Sequence, residues 1–331
     1  MSTLVKQEEI AQAVMLLKAG KLVAFPTETV YGLGADANNI EAVKKIFAAK
    51  GRPADHPLIV HISSIEQVQL WACDIPAIAW ELAQQFWPGP LTLILKRAKR
   101  VADLVTGGQD TVGLRIPNHP IAQALLQQFG GGIAAPSANK FGHISPTQAK
   151  HVQQELGEAV DLILDGGACD VGIESTIIDV SSEIPRILRP GFILPSQLNK
   201  IMNNRAVANA PSVERTVKIP RVSGMLLSHY APVTPLKILT AAELSTKIKE
   251  LISAGKNFSV LAHSLSPIKN HNNLYWFNMP SDPKNYAHEL YAIMRAADEK
   301  KGEVILLEEL PTTEQWFAIW DRLRKAAAGH E

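Results

Sequence analysis

Apolar and polar residues alternate along this chain with two different periods, which predict interleaved helices and strands. Ile10, Val14 and Leu17 share one helical face, so we expect an amphipathic helix over 7–18. Short apolar runs that end at proline or polar turn residues predict buried strands. Over the first 200 residues these patterns predict further helices at 41–49 and 121–129, and strands at 21–25, 58–62, 91–95, 112–116, 133–135, 162–164, 175–180 and 186–189.

One more helix is expected to start at residues 145–148. Ser145 can cap a helix, Pro146 suits its first turn, and Gln148 occupies the position that a capping box requires.

The last third of the chain repeats the alternation after a stretch, residues 199–224, that lacks periodicity and is interpreted as a linker. Strands are predicted at 235–239, 259–262, 274–277 and 304–307, and helices at 242–253, 283–300 and 314–328. We therefore predict an α/β protein, because helices and strands alternate throughout. The surplus of strands in the first part favours a twisted, mixed, open sheet, with a second, smaller Rossmann-like α/β domain. The predicted divisions are a first domain at 1–200, a linker at 201–233 and a small domain at 234–331.

Composition narrows the classes of function. With 331 residues, of which 46% are hydrophobic, two domains are expected. Lys and Arg number 33 against 32 Asp and Glu, so the chain lacks the basic excess of many nucleic-acid-binding proteins. Cys73 and Cys169 are far apart, which argues against a disulfide framework or a structural zinc site. The chain has no signal-like amino terminus and no apolar run long enough for a membrane span, so a cytoplasmic protein without membrane association is expected.

Polar residues follow the first predicted strand in the segment 26–34. Thr27, Thr29 and Tyr31 supply hydroxyl groups, and Gly32 and Gly34 allow a close approach of the backbone. Ligands favour the crevices at strand ends of α/β sheets. An ordinary strand-to-helix loop with local threonine hydrogen bonds explains the pattern equally well.

Cationic residues follow the second predicted helix. Lys50 and Arg52 flank Gly51, and His61 ends the next strand. The two cations could bind a polyphosphate, for which arginine offers a bidentate fork and lysine a point charge. Cations also commonly complement a helix carboxyl terminus, and a lone histidine is more often structural.

Arg115 lies in an otherwise apolar predicted strand, where burial is costly without an anionic partner. Either a protein carboxylate or a substrate carboxylate would satisfy it. Ser137 and Asn139 follow another strand, where an ordinary turn is the simplest interpretation. The sequence contains no P-loop, no dinucleotide-binding glycine motif after a strand, no zinc-protease motif and no nucleophile elbow. Phosphate binding would therefore depend on scattered polar and cationic residues.

In order and spacing these segments resemble the YrdC family of threonylcarbamoyl-AMP synthases. The resemblance runs from about residue 7 to residue 194 and rests on the segment 26–34, on Lys50 and Arg52 with the following 57–61, and on Ser137 and Asn139. The segment 223–232 resembles the entry into the second domain of the long, two-domain form, whose linker crosses the mouth of the catalytic cleft. Short members lack that domain, so the chemistry is expected within the first 200 residues.

The resemblance implies an L-threonylcarbamoyladenylate synthase, a nucleotidyltransferase that condenses L-threonine, bicarbonate or CO2, and ATP. The products are threonylcarbamoyl-AMP and pyrophosphate. A tRNA threonylcarbamoyl-transferase complex would then move the group to the adenosine next to the anticodon. Weak direct binding of tRNA or RNA is a further expectation. Mg²⁺ is expected with ATP, held by phosphates and water, with no protein side chain assigned to it.

The resemblance also implies roles for individual residues. Lys50 and Arg52 would be catalytic, stabilising the triphosphate as its α-phosphate is attacked. The ATP-binding residues would be Lys50, Arg52, His56, Thr111, Ser137, Asn139, Ser145, Arg189 and Tyr230. The threonine-binding residues would be Thr29, His61, Arg115, Ala135 and Ser175. His56 departs from the family pattern, in which many members carry asparagine, and its contribution would depend on pH.

Three other interpretations stay open at this stage. One is an RNA-binding module without ATP turnover, using the cations of 96–100 as a basic patch, although such a run is more often a solvated loop. Another is carbamoyl transfer, because the YrdC fold also occurs in hydrogenase-maturation proteins; the acylphosphatase-like and zinc-finger segments of those proteins are missing from this sequence. The last treats the carboxyl-terminal domain as an independent binding module.

Overall fold

The computed structural model of this chain describes residues 7–202, 208–209, 219–268 and 271–330. The chain divides into two units, one of Met1–Phe141 with Pro146–Met225 and one of Gly142–Ser145 with Leu226–Glu331. Part of the predicted linker lies outside the described residues. Of its described part, 201–202, 208–209 and 219–225 belong to the first unit and 226–233 to the second.

A ten-stranded mixed sheet organises the first unit. Its strands are β1 (Val23–Phe25), β2 (Gly32–Asp36), β3 (Ile59–His61), β4 (Leu91–Lys96), β5 (Thr111–Arg115), β6 (Ile133–Ala134), β7 (Leu162–Ile163), β8 (Thr176–Asp179), β9 (Arg186–Arg189) and β10 (Ala208–Asn209). The strand order is β10-β9-β8-β4-β5-β3-β6-β2-β1-β7. Strand β3 is parallel to β5, and β6 is antiparallel to both β3 and β2.

Eight helices accompany this sheet in the described part of the first unit. They are α1 (Gln7–Lys18), α2 (Ile40–Lys50), α3 (Val68–Trp71), α4 (Ala77–Phe86), α5 (Asp103–Thr106), α6 (Pro120–Phe129), α7 (Ala149–Leu156) and α8 (Pro195–Ile201). Val23 and Phe25 of β1 belong to an apolar cluster with α1 and α6, whereas Ala24 belongs to a larger cluster with α2 and α4. Since successive strand residues point to opposite sides, the helices cover both faces of the sheet here.

The second unit is a smaller parallel α/β structure. Its strands are β11 (Leu236–Leu239), β12 (Phe258–Ala262), β13 (Leu274–Asn278) and β14 (Val304–Glu308), in the order β11-β14-β12-β13, and neighbouring strands run parallel. Its helices are α9 (Ala241–Ser253), α10 (Pro283–Asp298) and α11 (Phe317–Ala327). The predicted fold class, a mixed open sheet with a second, Rossmann-like α/β domain, is confirmed.

One local prediction for the first unit is wrong. The helix expected to begin at residues 145–148 begins at Ala149, and Gln148 occupies the N-cap position without a side-chain hydrogen bond. Ser145 is instead buried in a segment that belongs to the second unit. The sequence patterns also failed to predict β2, which continues directly from the polar segment 26–31 and pairs with β1.

Gly34 explains why the sequence patterns did not predict β2. A side-chain carbon at this position would lie 2.8 Å from the Phe25 ring and 2.9 Å from Ile133. The packing therefore requires a glycine in the middle of a strand, where glycine normally argues against one. None of the helices in the described part of the chain combines the length and apolarity that crossing a bilayer requires.

Candidate active site

The central strands of the first unit bring the predicted threonine-binding residues to neighbouring positions. His61, at the end of β3, is the register partner of Arg115, at the end of the parallel strand β5. On the other side of β3, the backbone amide of Ala135 donates to the carbonyl of Ile59 at 2.9 Å. Because parallel strands end at the same edge of a sheet, two polar side chains meet at this edge.

Arg115 is buried and has protein partners on each of its nitrogens. Its NH2 group forms an ion pair with Oε1 of Glu28 at 2.7 Å, and its NH1 group donates to Oγ1 of Thr29 at 2.9 Å. Its Nε donates to the carbonyl of Gly89 at 3.3 Å. Of the two partners that the sequence left open, the structure shows a protein carboxylate. A substrate carboxylate would be an additional ligand of a guanidinium already held in place.

The hydroxyl group of Thr29 lies between Arg115 and Thr27. Its Oγ1 accepts from NH1 of Arg115 at 2.9 Å and lies 2.8 Å from Oγ1 of Thr27. Oγ1 of Thr27 in turn donates to the carbonyl of Val30 at 2.7 Å and accepts from the backbone amides of Thr29 and Val30 at 3.2 Å. The Thr29 hydroxyl is thus held in place beside the guanidinium of Arg115.

His61 is an uncharged group at neutral pH. Burial, with the neighbouring charge of Arg115 as a second cause, lowers the pKa of His61 to about 3. Its ring meets that of Phe25 edge-on, with the centroids 6.0 Å apart. A neutral imidazole beside Arg115 adds no second positive charge to this part of the site.

Lys50 ends α2 with its side chain buried. Its Nζ donates to the carbonyls of Ser137 and Asn139, each at 2.5 Å. Burial and the charge of Arg52 hold the pKa of Lys50 well below its usual value. Lys50 thus ties the end of α2 to the turn that follows β6. The structure places the predicted Lys50, Ser137 and Asn139 together through backbone carbonyls of that turn.

Arg52 and Arg189 converge on Ser223. NH2 of Arg52 donates to Oγ of Ser223 at 3.0 Å and to the carbonyl of Pro57 at 3.0 Å. NH1 of Arg189 donates to the carbonyl of Ser223 at 3.1 Å. Both arginines are buried, with exposed fractions of 6% and 3%. Two guanidinium groups that share a single serine produce a local concentration of positive charge in the first unit.

Ser175 links the Arg189 group to the centre of the sheet. Its carbonyl and hydroxyl oxygens accept from Arg189 at 3.0 and 3.1 Å, and its hydroxyl lies 2.8 Å from that of Thr92. Thr111 begins β5 and lines a small cleft that also includes Ser223. Two predicted residues for different substrates, Ser175 and Arg189, are therefore in direct contact.

His56 is half-buried and lies edge-on to Phe141, with ring centroids 5.2 Å apart. Arg52 lies over the same phenyl ring at 5.5 Å from its centroid. Burial, together with the charge of Arg52, lowers the pKa of His56 from its usual value. His56 thus adjoins Arg52 but favours its uncharged form.

Ser145 and Tyr230 belong to the second unit. Tyr230 is buried there and has a positive φ of 63°, which is uncommon for a residue other than glycine. Its ring stacks on Tyr291 at 5.9 Å, and the guanidinium of Arg322 lies over it at 5.2 Å. The surroundings of these two predicted ATP ligands are therefore those of the second unit, while the other predicted site residues belong to the first.

Glu28 and Ser223 are residues of these clusters that the sequence analysis missed. Glu28 stands between Thr27 and Thr29, so the pattern gave a signal: an acidic residue within a segment that is otherwise hydroxylic and apolar. Ser223 had no comparable signal, because its role depends on where residues 219–225 pack. Among the described residues, no group of three or more His, Cys, Asp or Glu side chains is arranged to hold a metal ion.

Comparisons with known proteins agree with this architecture. The family model described as "Telomere recombination" matches residues 15–191, and the model described as "Threonylcarbamoyl-AMP synthase, C-terminal domain" matches residues 193–328. The threonylcarbamoyl-AMP synthase of Bacillus subtilis is 41% identical over 325 residues, which cover 97% of this chain and 93% of the relative. The chain belongs to the threonylcarbamoyl-AMP synthase family.

Two further relatives define its place in the threonylcarbamoyl-AMP synthase family. A putative synthase of Mycobacterium tuberculosis is 38% identical over 193 residues, 58% of this chain and 88% of the relative. The solved structure of Pyrococcus abyssi Sua5 complexed with L-threonine has a TM-score of 0.87 and 39% identity, covering 97% of this chain and 95% of that one. The chain is therefore a two-domain member, and its first unit corresponds to the part that shorter relatives share.

Proposed function

We propose that this chain condenses L-threonine, bicarbonate or CO2, and ATP into threonylcarbamoyl-AMP and pyrophosphate. The observation that carries the proposal is the presence, in one unit, of the guanidinium pair Arg52–Arg189 and of the separate Arg115–Thr29 cluster. The first suits a polyphosphate, and the second suits an amino acid. Full-length similarity to synthases and to a threonine-bound structure supports the same assignment.

The reaction needs no protein nucleophile. The uncharged amine of threonine adds to CO2 and releases a proton, giving a carbamate. A carbamate oxygen then attacks the α-phosphorus of ATP, the bond to the β-phosphate oxygen breaks, and pyrophosphate leaves. Positioning of the two reactants and stabilisation of the phosphate charge supply the catalysis of such a transfer.

On the nucleotide side, Arg52 and Arg189 would neutralise the phosphates. A bound phosphate would replace Ser223 as the partner of their N–H groups, since both arginines donate to that serine. Lys50 would stabilise the Ser137–Asn139 turn, which its ammonium or amine group already holds. The other proposed ATP ligands are His56, Thr111, Ser137, Asn139, Ser145 and Tyr230.

On the amino-acid side, Arg115 would bind the threonine carboxylate through N–H groups that its protein partners leave over. The hydroxyl of Thr29, which accepts from Arg115, would contact the amine or hydroxyl of the substrate. Neutral His61 would add no second positive charge to the threonine site beside Arg115. Ala135 and Ser175 complete the proposed threonine site.

Mg²⁺ is proposed to accompany ATP. Arg52 and Arg189 meet at Ser223, and among the described residues no group of three or more His, Cys, Asp or Glu side chains is arranged to hold a metal ion. These residues fit an ion carried by the triphosphate and by water. When bound, it would add charge neutralisation to that of the arginines.

The product is proposed to pass, in the cytoplasm, to a threonylcarbamoyl-transferase complex that acts on tRNA.

An RNA-binding module without turnover gains no support from the basic run 96–100. Lys96 pairs with Asp74 at 3.5 Å and Arg97 with Asp103 at 2.5 Å, while Arg100 lies over the Trp71 ring. Lys96 and Arg97 are therefore each paired with an acidic residue of the same unit.

The product itself tests the proposal. Incubation with ATP, L-threonine and ¹³C-bicarbonate should yield an AMP conjugate whose mass contains threonine and one heavy carbon. Omission of threonine should abolish that species. A folded protein that consumes ATP without forming the conjugate would contradict the proposed function.

A further inference from the structure

Glu28 is a buried carboxylate that lies beside the proposed threonine site without being part of it. Its exposed fraction is 4%, and its Oε1 forms the 2.7 Å ion pair with Arg115. Its Oε2 accepts from the backbone amide of Asn118 at 3.0 Å. Its backbone carbonyl accepts from the amide of Val171 at 2.7 Å. Both carboxylate oxygens and the backbone are therefore fixed by separate segments of the chain.

The ion pair between Glu28 and Arg115 offsets the cost of burying the charge of the arginine. Burial of a charged arginine that is 4% exposed costs free energy unless a fixed anion lies beside it, because the guanidinium loses its hydration. Glu28 supplies this anion, while NH1 donates to Thr29 and Nε donates to the carbonyl of Gly89. The plane of Arg115 is consequently set by protein groups before any substrate arrives.

We propose that Glu28 is a positioning residue for L-threonine, acting through Arg115. Each terminal nitrogen of a guanidinium carries two protons. NH1 directs one proton to Thr29, while NH2 lies 2.7 Å from Oε1 of Glu28 as an ion pair without the geometry of a hydrogen bond, so protons on both terminal nitrogens remain for the substrate carboxylate. The charge of Glu28 fixes the position of NH2 and thereby the direction in which Arg115 faces the amino acid. This inference rests on the proposed function.

Glu28→Gln tests the inference, because glutamine keeps the size of the side chain and can still accept from Asn118, but it removes the charge. We expect the KM for L-threonine to rise by about tenfold, a change of about 1.4 kcal/mol, with the KM for ATP and the kcat at saturating threonine within about twofold of wild type. A purely structural role would instead reduce kcat and the melting temperature together and leave the threonine KM unchanged.

Asp179→Asn is the matched control. Asp179 is a buried carboxylate of the same unit that accepts from the amide and hydroxyl of Ser181 at 2.9 and 2.6 Å. Its loss should leave the threonine KM unchanged. Glu28→Asp provides a second variant: it keeps the charge but withdraws it by one methylene, and its threonine KM should lie between those of wild type and Glu28→Gln.

A double-mutant cycle tests whether Glu28 acts through Arg115. In an Arg115→Met background, adding Glu28→Gln should change the threonine KM by less than about twofold, because the group to be positioned is gone. The double variant should also be more stable than Arg115→Met, which leaves a buried carboxylate unpaired. A further tenfold rise in the threonine KM would overturn the proposal and make Glu28 an independent determinant.

The wild-type enzyme separates this inference from the proposed function. If wild type releases no pyrophosphate in the presence of threonine and bicarbonate, the proposed function fails. If wild type is active and both Glu28 variants keep the wild-type threonine KM, only the positioning role fails.

Discussion

At the scale of single residues, the two arginine clusters of the first unit have different partners. Arg115 pairs with Glu28, whereas Arg52 and Arg189 both donate to Ser223. Two guanidinium groups side by side suit a polyphosphate, which accepts from several donors at once, and the Arg115 cluster suits the carboxylate of an amino acid.

Arg52→Met should therefore affect the nucleotide side of the reaction. Loss of a charge aimed at the transferring phosphate typically costs about 10²–10³ in kcat, and we expect a decrease of that order with little change in the threonine KM. Arg97→Met is the control, since Arg97 is ion-paired with Asp103 outside the described clusters. Pyrophosphate release at saturating threonine measures both variants; equal rates would remove Arg52 from the phosphate site.

His61 should make stability depend on pH. The unfolded chain protonates this histidine below its usual pKa of 6.5, whereas the folded protein keeps it neutral down to about 3. Stability contributed in this way is present above pH 6.5 and is lost as the pH falls from 6.5 toward 3. The expected loss attributable to His61 is on the order of 3 kcal/mol between pH 6.5 and pH 4.

Urea unfolding at those two pH values tests this linkage. His61→Gln should lose correspondingly less stability than wild type over the same interval. His271→Gln, which removes an exposed histidine, controls for the loss of one imidazole. Identical pH dependence in wild type and His61→Gln would contradict the burial of a neutral imidazole.

At the scale of elements, β2 connects the polar segment 26–31 to the sheet. It lies between β1 and β6, so its glycines must admit the side chains of both neighbours. Gly34→Ala places a carbon within 3 Å of Phe25 and Ile133, and overpacking of this kind costs about 1–3 kcal/mol. Denaturant unfolding should show that loss. Gly113→Ala, whose nearest neighbour is the flexible end of Ile94 at 3.2 Å, should cost less; a larger cost would contradict the packing described for β2.

Comparison of the observed elements with the predicted ones shows which sequence patterns predicted strands and helix starts correctly. Short, mostly apolar runs predicted β3, β4, β5, β8 and β9 to within a residue or two, because strands of a sheet covered on both faces are largely apolar. The capping pattern at Ser145 failed because the serine is used elsewhere in the fold, and β2 failed because packing demanded glycines. Local propensity is overridden at both places by contacts between distant segments.

At the scale of the whole molecule, the sequence predicted the division into two α/β units. It predicted only some of the contacts between residues of the candidate site. Arg115, Arg52 and Thr29 stood out by type and spacing. The sequence did not reveal Glu28 as the partner of Arg115, or Ser223 as the shared acceptor of Arg52 and Arg189. These contacts join residues 87 to 171 positions apart or arise from a stretch without periodicity.

The dependence of pyrophosphate release on substrates tests the proposed function most directly. Purified protein with ATP should release pyrophosphate only when L-threonine and bicarbonate are both present, because the attacking carbamate forms from the two together. Omission of either should reduce release to background. Release that is independent of threonine, or its absence from a folded sample that binds RNA at low salt, would contradict the adenylyl-transfer function.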